Sequence, residues 1–119
     1  MCPVTERPKR YRIDGEQVDI RWRAALRRFK DGYPTAGRYT PETGKARAVI
    51  EIAPGQTFED ERRSLLHEML HDCADRGGVR AFMKLKDEEL FVTAVEAWLF
   101  RALEQNPDVI AWLTERRPE

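Results

Sequence analysis

The densest chemistry in this chain lies in five residues, His67-Glu68-Met69-Leu70-His71. A helix turns ~100° per residue, so positions i and i+4 stand ~40° apart on one face. Two imidazoles at that spacing reach a single metal ion, and Glu68 beside them can take a proton from water that the ion activates. The chain has only two histidines, and both fall in this pattern. Histidines scattered for packing would not fall that way. A structural zinc site is normally rich in cysteine, whereas this motif has only Cys73 nearby.

A catalytic zinc needs a third protein ligand and one open position. With no third histidine, a carboxylate is the expected ligand. Asp75, one turn past His71, suits a supporting role. Glu88, Glu89 and Glu96 follow in the next predicted helix. Glu88 points along a stripe with Phe91, Val95 and Leu99. Glu89 sits at the edge of that stripe, with Thr93 four residues on, where a hydroxyl can reach a histidine's free nitrogen. Glu89 is preferred over Glu88, and both stay open. Tyr33, Tyr39 and Arg80 are candidate donors to a developing oxyanion.

The elements that must position these groups follow from local signals. Thr57 is a helix cap, with Glu59, Asp60 and Glu61 crowding the positive end of the helix dipole. That helix runs to about Arg76, where Gly77-Gly78 stops it. With His67 at 0°, Leu65, Leu66, Met69 and Cys73 fall between roughly 160° and 260°. An apolar packing side opposite the ligand side is therefore expected. Val79 to Lys86 reads as a connector, with a strand as an option. A second helix covers about Asp87 to Glu104, and Asn106-Pro107-Asp108 opens a third.

Upstream, Asp14-Gly15 between YRI and QVDIRW marks a hairpin. Ala24 to Lys30 fits a short helix or a continued strand, and Asp31 to Gly37 reads as loop. Pro41-Glu42-Thr43-Gly44 turns the chain into Val49-Ile50-Glu51-Ile52, the strongest strand signal in the chain. The segment Ala48–Ile52 is also a candidate for pairing with a substrate peptide. Strands followed by helices give an α+β order. One domain over residues 1–119 is expected, with residues 1–9 a loose arm.

Charge and composition narrow the partners. Residues 1–50 carry 12 Lys/Arg against 6 Asp/Glu, and residues 51–119 carry 9 against 15, so the net charge is zero (+6 − 6). The competing reading is a non-catalytic interaction module. It would bind nucleic acid or an acidic protein through Arg21, Arg23, Arg27, Arg28 and Lys30, with Trp22 and Phe29 interleaved. Zero net charge and the lack of a nucleic-acid-binding motif count against it. A basic half that docks a protein substrate would join the two readings. No apolar run approaches the ~20 residues of a membrane span, and no secretory signal opens the chain. Cys2 and Cys73 cannot form a disulfide framework, which points to a reducing, cytoplasmic setting.

With Leu65 to His71, a Gly-containing connector, Glu88-Glu89-Leu90-Phe91-Val92 and a helix ending at Asn106-Pro107, the chain resembles the small phage and prophage zinc metallopeptidases. These are related to the ImmA/IrrE metallo-endopeptidases and more loosely to SprT-like proteins. The resemblance covers roughly residues 36–113. It implies a minimal zincin-like fold: a small antiparallel sheet, an active-site helix and a downstream helix carrying a glutamate ligand. It also implies zinc bound by His67, His71 and Glu89, Glu68 as catalytic base, and a protein or peptide substrate. The setting it implies is the cytoplasm of a bacterial host. The chain departs from SprT-like proteins in lacking their third histidine. It departs from other relatives in having Thr93 four residues and Glu96 seven residues after Glu89.

Overall fold

The structure is a computed structural model that describes residues 6–23 and 37–116. Four strands form one sheet: β1 (Arg10–Ile13), β2 (Glu16–Trp22), β3 (Gly37–Thr40) and β4 (Val49–Ile52). Three helices follow: α1 (Phe58–Arg76), α2 (Leu85–Gln105) and α3 (Pro107–Leu113). The class is α+β, as the element order implies. The expected readings of Ala24–Lys30 and of the loop before Gly37 lie outside the described residues.

The β1–β2 hairpin closes through Asp14 and Gly15, both with positive φ (53° and 81°). That is the geometry a two-residue hairpin turn demands, and Asp-Gly supplies it at low cost. The sheet order is β1-β2-β4-β3. The sheet is mixed rather than antiparallel throughout: β4 runs parallel to β2 and antiparallel to β3. The reason is that β4 is the most apolar strand and takes the centre. The chain leaving β2 must first lay down β3 at the edge, then fold back through the turn at Thr43 and Ala46 into the gap. The expectation that Ala48–Ile52 accepts a substrate strand is corrected here, because β4 is paired on both sides. Among the described residues the sheet's outer strand beside the helices is β3.

Val18, Ile20, Ala48, Ile50 and Ile52 form the core, with Tyr11, Ile13, Trp22, Tyr39, Leu65 and Met69 packed around it. On the opposite face of β4, Glu51 is buried under Arg23 and Arg38, whose guanidinium groups lie 2.8 and 2.6 Å from its carboxylate. Arginine stems cover that side of the sheet.

Helix α1 starts as its sequence requires, with the Thr57 hydroxyl accepting from the Asp60 N–H at 3.1 Å. It ends where Gly77 donates to the Cys73 carbonyl and Gly78 takes φ 76°. Its packing face differs from the expected apolar stripe. Leu65 and Met69 do meet the core, but Cys73 is exposed. The buried positions of α1 are Glu61, Glu68, His71 and Asp72. Two of these acids are tolerated because they are bonded. Glu61 takes a two-pronged bond from Arg7 (3.0 and 2.9 Å) and a third from the Gly55 N–H (3.2 Å). Asp72 accepts from Tyr11, from Tyr39 at 2.9 Å and from Arg76 at 2.9 Å. The connector is a short 3-10 turn over Val79–Ala81, not a strand.

Candidate metal centre

Helix α1 presents His67 and His71 on one side, and α2 crosses it there. The imidazoles lie with ring centres 5.0 Å apart and planes 66° apart. Glu89 meets both rings: one carboxylate oxygen is 2.8 Å from His67 Nε2, and the other is 2.7 Å from His71 Nε2. Ligand atoms of His67, His71 and Glu89 all lie within 4.8 Å of one another. The Glu89 side chain is 56% exposed, so the cluster opens to water on one side. Two imidazole nitrogens, a carboxylate and an open side form a donor set suited to a divalent ion.

Glu88 has a different place. It is 1% exposed, and its carboxylate lies 2.6 Å from His71 Nδ1. The far nitrogen of the ring is thereby engaged, and Nε2 is aimed at Glu89. This is the outer carboxylate that metal-binding histidines commonly carry. The two adjacent glutamates differ in place: Glu89 faces both Nε2 atoms, and Glu88 faces the back of one ring. Glu96 approaches the back of the other ring, 3.8 Å from His67 Nδ1, and is held at 2.9 Å by Arg63. Thr93 donates to Glu89 at 3.4 Å rather than to a histidine, which corrects the role expected for it.

The two Nε2···carboxylate contacts of Glu89, at 2.8 and 2.7 Å, are of hydrogen-bond length. Burial lowers the basicity of both histidines, but the bonds to Glu89, and to Glu88 for His71, outweigh it and raise their pKa above 6.5. Bonds from His67 and His71 hold the Glu89 carboxyl well below the usual carboxylate range. An ion bound here would compete with protons for the same imidazole and carboxylate atoms.

Glu68 lies next to this cluster and is 7% exposed. It accepts no hydrogen bond from any described residue. Burial pushes its carboxyl up to about 7, against the pull of His67 and His71. Its neighbour is the backbone of β3. A Cβ on Gly37 would lie 3.0 Å from Glu68 Oε2 and 3.1 Å from Cγ. Glycine lets the strand come this close. Nothing in the sequence around Gly37 signals that role, since it depends on a residue 31 positions away.

Of the expected oxyanion donors, Tyr39 and Arg80 are already engaged by acids. The Tyr39 hydroxyl is taken by Asp72 and Asp75 (3.2 Å). Arg80 lies 3.4 Å from Glu88 and 3.5 Å from Asp75. Tyr33 lies outside the described residues, as do Arg27, Arg28, Phe29 and Lys30 of the basic stretch. Within that stretch Arg23 is bonded to Glu51, and the Trp22 indole donates to the Pro8 carbonyl. Comparison with protein-family models, curated proteins and solved structures yields no match to this chain. No described helix is long and apolar enough to cross a membrane.

Proposed function

We propose that this chain is a zinc-dependent metallo-endopeptidase of the small phage and prophage type, working in the cytoplasm. The observation that carries this reading is the pair of contacts from Glu89 to the Nε2 atoms of His67 and His71. They bring together three ligand groups of the right chemistry beside a buried acid, Glu68, that accepts no hydrogen bond from any described residue. Zinc is favoured over harder ions because two of the three donors are imidazoles. The resemblance of residues 65–71 and 88–92 to the HExxH peptidases supports the same conclusion.

His67, His71 and Glu89 would hold the ion, with Glu88 fixing the His71 ring. When bound, zinc supplies a Lewis acid that polarises a carbonyl and lowers the pKa of water toward ~7. Glu68 takes the proton of the attacking water and delivers it to the departing amine. Burial raises its pKa above that of an ordinary carboxylate, which makes it a stronger base for that exchange. The open side of Glu89 admits substrate. Among the described residues, the side of β3 away from β4, which begins at Gly37 against Glu68, is unpaired and would take a peptide backbone.

The test is elemental analysis of protein purified without added metal, paired with cleavage of a denatured protein substrate. One equivalent of zinc is expected, lost in His71→Ala. Retained stoichiometric zinc in His71→Ala overturns the site, and full cleavage by metal-stripped protein overturns the mechanism.

A further inference from the structure

Helix α2 buries Val92 and Phe100 together with Glu88 and Glu96 and leaves bulky apolar side chains on its other face. Its inner face carries Glu88, Glu89 and Glu96 toward α1. Its outer face carries Leu90, Phe91 and Trp98, which are 65%, 60% and 71% exposed. Such bulky apolar side chains on one stripe of a polar protein mark a surface that is covered in use. This feature does not depend on the metal site, which occupies the other side of the helix.

The outer stripe is ordered in a way that points to its own partner. Asp87, Leu90, Ala94, Trp98 and Arg101 fall within ~80° of arc. They read acid, apolar, small, apolar, base. Asp87 and Arg101 each lie seven residues from Ala94, and Leu90 and Trp98 each lie four. We infer that this stripe is the interface of a homodimer, in which α2 packs antiparallel on α2 of a second copy across a two-fold axis at Ala94. In that arrangement Leu90 meets Trp98 of the partner. Asp87 meets the partner's Arg101, and the small side chain of Ala94 lets the helices approach at the crossing. An isologous contact requires this self-complementarity.

Three further observations agree. Neither Asp87 nor Arg101 forms an ion pair with any described residue. Arg101 instead lies over the Trp98 ring, 5.1 Å from its centre, at the edge of the stripe. The chain's zero net charge opposes no self-association. Leu90, Phe91 and Trp98 leave roughly 400 Å² of side chain in water. If Phe91 at the margin of the stripe is covered too, two copies together with Asp87, Ala94 and Arg101 bury at most on the order of 1,000 Å², the threshold of a specific interface.

The experiment is sedimentation velocity on the full chain at concentrations up to the order of 100 µM, with circular dichroism confirming that each variant is folded. The wild type is expected to approach twice 13.9 kDa. Trp98→Glu should remain monomeric. Asp87→Arg sets like charges opposite each other and should weaken association at least roughly tenfold. Asp87→Arg combined with Arg101→Asp should restore it. A folded wild type that stays monomeric throughout overturns the inference, including one that instead co-sediments with anionic lipid vesicles. So does a dimer whose strength ignores both the charge reversal and its compensation.

Discussion

Two buried carboxylates stand one turn apart on α1 and have opposite surroundings. Asp72 is fully buried and accepts from two phenols and a guanidinium. Glu68 is almost as deeply buried and accepts from none of the described residues. The same strand produces both situations. Inward-facing positions alternate along β3, so Gly37 and Tyr39 face α1 at a spacing close to one helical turn. Tyr39 bonds Asp72, while Gly37 offers Glu68 only backbone and space. A buried acid that is fully bonded holds a structure together. One left without partners is destabilising, and that cost is tolerated where the group has chemistry to do.

The largest contrast is expected from removing each charge in turn. Glu68→Gln should lower peptide cleavage by roughly 10²–10⁴-fold while zinc content stays at one equivalent and urea stability does not fall. Asp72→Asn should do the reverse, costing about 3 kcal/mol in a urea melt with zinc still bound. Equal destabilisation by both changes would erase the distinction.

The comparison also has a pH signature. The folded pKa of Glu68 lies above its ordinary 4.5, so the folded state holds that proton more tightly than the unfolded chain. Its contribution is complete below about pH 4.5 and is lost as pH rises to about 7, amounting to roughly 3 kcal/mol. His67 and His71, also raised, lose their contribution over the range above 6.5. Glu89 acts oppositely, losing its contribution only as pH falls below the ordinary carboxylate range. Protein without metal should therefore become less stable as pH rises from about 4.5 to about 7 and on above 6.5 as the histidines lose their protons, and Glu68→Gln should flatten the lower part of that slope. Zinc-loaded protein should gain stability with pH, because the ion displaces the histidine protons. Melting curves with and without chelator distinguish the two.

Gly37→Ala should sharpen the role of the space beside Glu68. The added methyl displaces the carboxylate by a few tenths of an ångström, and cleavage should drop by about 10-fold to 100-fold with metal content unchanged. The smallest effect is expected outside the immediate site. Glu88→Gln keeps a group at His71 Nδ1 but removes its charge, and zinc affinity should fall by roughly tenfold in a chelator competition.

Much of this arrangement is legible in the sequence because it is local. The i, i+4 histidines, the Thr57 cap, the Asp14-Gly15 turn and the α+β order each depend on residues within one turn or one strand of each other. Leu65 and Met69 reach the core as their position on the helix predicts. Cys73, placed on the same stripe, is exposed, because the sheet covers the sector occupied by Leu65, Glu68, Met69 and Asp72 instead. Helical periodicity locates an apolar side, but the angle at which a sheet meets it is a tertiary property.

The tertiary structure alone decided which of two adjacent glutamates faces the imidazoles and which stands behind a ring. That difference is one ~100° step around α2, and it is set by how α2 lies against α1. It also decided that β4 sits inside a mixed sheet and that Gly37 borders Glu68. Contacts between distant segments follow from the order in which the chain lays down its strands. The residue types at positions 67, 68 and 71 determined what chemistry is available. Packing determined how strongly each of those groups holds its proton, because electrostatic interaction depends on distance and burial, and neither is written in the local order of residues.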